Sequence, residues 1–419
     1  MSATFLKHIV MMKHTRRSKK MVIGKRAITK VQAVVVATVI AVAAIAGGVA
    51  WWYTSKPTGE LPPIKIGCCH PLTGYSQLLG HYFRMGVILA TEEINSRGGI
   101  LGRRVELYWA DDKCLPADGV PAINKLISID RVDAILGPQC SSVVLAVMPI
   151  INDAKVPMLI CAATSPLITQ RSGVGGNIWT FRINPHDGLM GPALAKFLVE
   201  DFHVRSMSMV VLNNDWGRGN VMVWQNLSRQ LGIEIKSVDY FDYGETNFLP
   251  ILTNIKNLNP DCLFLAADYE EGYHIMKAYR ELGMTQLVVG RGGVGTKTMA
   301  DKFGKELVEG VIGINFYSVK INNTEHIEFV RRFLNRWNEL PDIVSAWGYV
   351  EAYVLFDAIK RAGTTEKEAV RNALKATNMD TFLGHIEFDD HNQAYCPVYV
   401  YRIHNGDEEL IATVPTTPP

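Results

Sequence analysis

The chain has 419 residues, 48% hydrophobic and 20% charged, with 35 Gly and 19 Pro. That length gives room for two or three domains, and the ordinary Gly and Pro content excludes collagen-like and low-complexity chains. The net charge of +2 is uneven: residues 1–30 hold nine Lys/Arg and no acid, and the first acidic residue is Glu60. The remaining 34 basic and 41 acidic residues leave 31–419 at net −7, so no nucleic-acid-binding surface is expected.

The basic stretch 1–30 precedes an uncharged run, AVVVATVIAVAAIAGGVAWW, at 33–52. About 20 apolar residues span a bilayer core. Lys/Arg on its N-terminal side put that side in the cytoplasm and everything after residue 55 outside. Trp51, Trp52 and Tyr53 suit an interfacial anchor. The segment therefore reads as a tail at 1–30 and a membrane anchor at 31–53. The other reading is a signal peptide, with 1–30 as its basic region and Ala41-Val42-Ala43 as its small-x-small site, although such apolar cores usually run about 7–15 residues. Lys25-Arg26-Ala27 followed by Ile28-Thr29 resembles archaeal pilin-type (class III) signal peptides. That resemblance implies cleavage after Ala27 with the apolar helix kept as the anchor. A short polar linker with Pro57, Pro62 and Pro63 fills 54–63.

Beyond the linker, strand-like and helix-like runs alternate. A strand is expected at 64–68. Phe83, Val87, Ala90 and Ile94 form a helical stripe ended by Gly98-Gly99. Strands follow at 105–110, 134–136 and 157–160, separated by helices at 120–129 and 142–153. The rhythm resumes with a helix at 189–202 and strands at 206–212, 235–240, 262–266 and 287–289. Helices at 219–231, 250–257 and 273–282 lie between those strands. Late helices at 325–340, 345–362 and 367–376 precede a closing pair of strands at 386–388 and 398–403. Repeated βα units imply mostly parallel sheets flanked by helices. The strand count exceeds one ordinary sheet, so the fold class is α/β with two lobes, the chain changing lobe near 181–185.

The motifs point to binding rather than chemistry. Gly290–Lys297 is rich in glycine, but Thr296 stands between Gly295 and Lys297, one position out of register for a phosphate-binding GxxxxGK[ST] loop. No GxSxG, HExxH or CxxC occurs. Ser141 has no evident base to activate it. No catalytic residue, metal site or cofactor is expected. Gly137-Pro138-Gln139-Cys140-Ser141-Ser142 follows a strand and opens a helix, where free N–H groups favour an anion. The other reading of its serines is a simple helix cap. Cys161-Ala162-Ala163-Thr164-Ser165 is a second turn after a strand. Of the seven Cys, Cys161 and Cys262 sit in apolar strands and are expected as buried thiols.

These motifs in order carry a resemblance: Ile94-Asn95-Ser96-Arg97-Gly98-Gly99-Ile100-Leu101-Gly102, Asp111-Asp112-Lys113-Cys114, Gly137-Pro138 with Cys140-Ser141, and Ala162-Ala163-Thr164. Together they resemble the leucine/isoleucine/valine-binding proteins of ABC importers, which have the type I periplasmic-binding (clamshell) fold. The resemblance implies one lobe from 64–182 and 315–362 and a second from 183–314 and 363–419. It implies a Cys114–Cys140 disulfide. It also implies that Ser141, Ala162 and Thr164 hold a ligand α-carboxylate and that Trp216 covers the ligand. Where the family has a Tyr and a Glu for the ammonium, this chain has Asp268 and Gly292. Leu79 replaces a further family aromatic. The implied function is an extracytoplasmic solute-binding protein, a monomer anchored at the cell membrane, delivering an amino acid of branched-chain type or a related small carboxylate to an ABC permease. The alternatives are a receptor ectodomain of the same fold, or a binder of an amide or non-amino organic acid.

Overall fold

A computed structural model describes residues 29–54 and 61–417. The chain divides into two compact units, 1–60 and 61–419. The basic tail, the Lys25-Arg26-Ala27 motif and most of the 54–63 linker lie outside the described residues. In the first unit, Lys30–Thr54 is a single 25-residue helix. Its segment Lys30–Gly47 has a mean hydropathy of 2.0 and is long and apolar enough to cross a membrane. The Thr38 hydroxyl is satisfied inside the helix by the Val34 carbonyl at 2.9 Å.

The second unit begins with β1 (Ile64–His70), β2 (Val105–Asp111), β3 (Ala134–Leu136), β4 (Met158–Ile160) and β5 (Thr180–Arg182). They form one parallel sheet in the order β2-β1-β3-β4-β5. β3, β4 and β5 are buried at every residue, as a sheet covered on both faces requires. The second sheet contains β6 (Ser206–Leu212), β7 (Glu234–Phe241), β8 (Cys262–Ala267), β9 (Leu287–Gly292) and β10 (Ile312–Asn315). These run parallel to one another.

The last strands depart from the expectation. β11 (Asn378–Thr381) and β12 (Gly384–Glu387) pair only with each other, and β13 (Val398–His404) pairs with β14 (Asp407–Val414). The expected 386–388 strand is therefore not the partner of 398–403. The order of the second sheet is β14-β13-β10-β9-β8-β6-β7. The turn between β13 and β14 is Asn405-Gly406, with φ 52° and 80°, the positive-φ pair that a tight hairpin needs. The stretch 363–419 accordingly divides. Phe382 stacks on Phe329 at 4.8 Å and Phe388 meets Phe181 of β5 at 5.2 Å, while β13 and β14 belong to the second sheet.

The first lobe is closed by two long helices, Gln77–Ser96 and Ile343–Ala362. They touch backbone to backbone: a Cβ built on Gly86 would lie 2.0 Å from the Ser345 carbonyl oxygen. Nothing larger than glycine fits there unless the helices part. Gly86→Val is therefore expected to destabilise the protein by about 1–3 kcal/mol, read as a lower midpoint in urea titration.

Candidate functional site

The two sheets present their carboxyl ends to a common cavity, the place where open α/β sheets take ligands. The neighbouring strands β3 and β4 end in the turns 137–141 and 161–164. Across from them, the adjacent strands β6, β8 and β9 deliver Trp216, Asp268 and Gly292. The cavity encloses about 650 Å³ of empty space, its mouth included, and Leu79, Ser141, Ala162, Thr164, Trp216, Asp268 and Gly292 all line it. The structure thus brings every sequence-derived site residue together.

On the first-lobe side, Ser141 opens the helix Ser141–Ala154. Its Oγ accepts the Ser165 N–H at 3.1 Å, so its hydroxyl hydrogen is available to an acceptor in the cavity. Ala162 lies at φ 68°, a left-handed conformation that residues with a Cβ adopt rarely and that clusters at functional sites. Thr164 donates its hydroxyl hydrogen to Asp187 Oδ2 at 2.8 Å. Its hydroxyl hydrogen is therefore already engaged, and Oγ1 is left with lone pairs only. The wall is completed by the Cys114–Cys140 disulfide, with Cα atoms 5.4 Å apart. Cys161 and Cys262 are free, buried thiols, and burial raises the pKa of each.

On the second-lobe side, Asp268 stands just before the helix Tyr269–Glu281. Its Oδ2 accepts from Ser76 Oγ at 2.6 Å. Burial pushes its pKa up to about 6; the Ser76 hydrogen bond opposes that shift and the nearby Glu271 charge adds to it. Gly292 has φ 70°, and a Cβ there would meet Ala267 O and Trp216 Cη2 at 2.6 Å each. The indole of Trp216 thus occupies the space into which a side chain at 292 would project. Trp216 is held by the Asn214 cap, whose Oδ1 accepts the Gly217 N–H at 2.9 Å.

Several lining residues had no signal in the sequence. Arg291 reaches the cavity wall with only 3% exposure. It donates from Nη2 to Asp187 Oδ1 at 2.7 Å and from Nη1 to the Ile314 carbonyl and Asn315 Oδ1 at 2.8 and 3.0 Å. Burial raises the Asp187 pKa, and the Arg291 charge opposes the shift. Phe316, Ile343 and Val344 add apolar surface from parts of the chain far from every motif. The glycine-rich run 290–297 was expected as a turn, but its first three residues end β9 and the turn is confined to 293–295; nothing in the sequence marked Arg291 as a buried strand residue.

Hydrogen bonds also cross the cleft away from its centre. Besides Ser76 and Asp268, Ser142 Oγ accepts the Asp215 N–H at 3.0 Å and the Tyr243 hydroxyl donates to Cys114 Sγ at 3.2 Å. The Tyr269 hydroxyl donates to Asp342 Oδ2 at 2.7 Å, and Thr298 donates to the same oxygen. The lobes are therefore closed on each other.

Residues 63–408 match the family described as periplasmic binding protein. The chain belongs to the periplasmic binding protein family. This is an extracytoplasmic family of solute-binding proteins, a kind that is not enzymatic. The curated leucine-, isoleucine-, valine-, threonine-, and alanine-binding protein of Pseudomonas aeruginosa is 25% identical over 327 residues, 78% of this chain and 86% of the relative. The crystal structure of a leucine binding protein from Thermotoga maritima has a TM-score of 0.77 at 28% identity, covering 84% of this chain and 98% of that one. An R. palustris ABC-transporter solute binding protein in complex with benzoate has a TM-score of 0.78 at 19% identity, covering 85% and 98%. The two-lobed fold of this periplasmic binding protein is therefore type I.

The Asp268 geometry has a pH consequence. Its folded-state pKa of about 6 exceeds the ordinary aspartate value of 3.8, so its stabilising contribution is present below about pH 4 and is lost as pH rises through about 6. In Asp268→Asn the carboxamide still accepts from Ser76 but does not titrate. In the closed form, the variant is expected to gain in melting temperature over the parent between about pH 4 and 6, then hold a constant gain. Parallel melting curves across that range would count against a buried, titrating Asp268.

Proposed function

We propose that this protein is the solute-binding component of an ABC importer and takes a small amino acid whose carboxylate lies on the first lobe and whose ammonium lies on Asp268. The observation that carries the reading is the polarity of the cavity. One wall offers the Ser141 hydroxyl and the helix-start N–H groups; the facing wall offers a carboxylate. Leu79, Trp216, Phe316, Ile343 and Val344 line the space between, which suits an apolar side chain. The leucine-binding relatives support the same class.

A second reading follows from Gly292. The family's glutamate is absent there, and its space is filled by Trp216. Only Asp268 then faces an ammonium group, and its raised pKa allows it to be protonated in mildly acidic solution. A small carboxylic acid without an amino group is the corresponding ligand class, and the R. palustris protein of this fold holds benzoate.

Calorimetry on two variants separates these readings. A charge-assisted hydrogen bond contributes about 1.5–3 kcal/mol. Asp268→Asn is therefore expected to weaken an amino acid such as leucine by roughly one to two orders of magnitude. It is expected to leave a plain acid such as benzoate unchanged or tighter. Ser141→Ala is expected to weaken either ligand by less, because the backbone donors remain. Unchanged affinity in both variants would mean that the site lies elsewhere. The two classes also differ with pH: below about 6, as Asp268 protonates, amino-acid affinity should fall and acid affinity should not.

We further propose that the helix Lys30–Thr54 is retained as the anchor, with the basic tail inside the cell and residues 61–419 outside as a monomer. Protease added to intact cells is expected to digest 61–419 and leave the helix in the membrane. Recovery of intact protein from cytosol would overturn this topology.

A further inference from the structure

Glu351 is an acid that neither the sequence motifs nor the cavity explains. It lies on the helix Ile343–Ala362 at 0% exposure, where an unpartnered carboxyl group would be costly. Its two oxygens reach different turns. Oε1 accepts from the Gly137 N–H at 3.3 Å, a donor shared with the Leu159 carbonyl at 2.9 Å. Oε2 accepts from Cys161 Sγ at 3.4 Å. Gly137 is the first residue of the turn that ends in Ser141, and Cys161 is the first residue of the turn that ends in Thr164. The two turns follow neighbouring strands, β3 and β4, and no other side chain contacts both of these first residues by hydrogen bond among the described residues. The same helix supplies Ile343 and Val344 to the cavity from its first turn.

We infer that Glu351 is a positioning residue that sets the spacing of the two cradle turns, and hence the distance between Ser141 and Thr164, from behind the cavity. It touches no ligand. Burial raises its pKa well above that of an ordinary glutamate, and a carboxamide of the same shape keeps a polar atom at each of its two contacts. The Gln oxygen accepts from Gly137, and its nitrogen meets the Cys161 sulfur as a donor, the reverse of the Cys161-to-Oε2 bond. An aliphatic side chain of similar size reproduces neither. The link to ligand affinity rests on the cradle reading above; the link between Glu351 and the turns does not.

The test uses a chemical reporter in each turn of the full-length protein. Cys161 alkylation reports on the second turn. Reduction of the Cys114–Cys140 disulfide by a small thiol reports on the first. Glu351→Leu is expected to speed both reactions about tenfold, since both depend on local opening. Glu351→Gln is expected to keep both within about threefold of the parent. Cys161→Ala, which cuts only the second link, is expected to leave disulfide reduction unchanged. Acceleration of one reporter alone in Glu351→Leu, or equal acceleration in the Gln and Leu variants, would overturn the inference. Leucine and benzoate titrations on the same samples test the cradle separately. If Ser141→Ala leaves both ligands unaffected while the reporters behave as expected, the cradle reading fails and the positioning role of Glu351 stands.

Discussion

Asp187 places a buried carboxylate between Thr164 of one lobe and Arg291 of the other, and the geometry of the cavity follows from that arrangement. The same residue returns its N–H to the Thr164 carbonyl at 2.9 Å. On the other side of the turn, Arg182 at the end of β5 donates to the Ala163 and Ser165 carbonyls at 3.1 and 2.9 Å, and to Gln393 at 2.7 Å. Arg291 reaches Ile314 and Asn315, where β10 ends. Each place where the chain passes between the lobes therefore contributes to one buried polar cluster. Breaking a buried pair by removing one partner typically costs about 3–5 kcal/mol, because the other charge is stranded. The cluster holds the 161–164 turn while the lobes can move about it.

That arrangement separates two tasks. The cluster at the crossings is internally satisfied and does not need a ligand. The bonds that cross the open side of the cleft, from Ser76 to Asp268 and from Tyr269 and Thr298 to Asp342, exist only when the lobes meet. A solute touching both walls favours the closed state by its differential affinity. Asp268 belongs to both sets: it faces the cavity and also receives a hydrogen bond from the opposite lobe. Ligand charge and closure are coupled through that side chain.

The sequence was legible where burial is uniform. β3, β4, β6 and β8 are short, mostly apolar runs because both faces of their sheets are covered, and the turns after β3 and β4 are marked by Gly, Ser and Cys. It was illegible where the structure uses charge inside. Arg182, Asp187, Arg291 and Glu351 look like surface residues in one dimension; the crossing of the lobes makes the first three interior, and the packing of the helix Ile343–Ala362 behind the β3 and β4 turns buries Glu351. β14 was missed because it is an edge strand with exposed positions, so its text, DEELIATV, carries few buried apolar residues. The Asn405-Gly406 pair is the one signal in the sequence that marks its hairpin.

The contact between Trp216 and Gly292 constrains how this cavity can change over time. A side chain at 292 requires the indole to shrink or move, and removal of the indole alone leaves a void beside a glycine held at positive φ. Neither single replacement passes through a well-packed intermediate, so the two positions are coupled. A glutamate at 292 therefore requires both a smaller or displaced residue at 216 and a shift of the backbone that moves Ala267 O away and relieves the positive φ.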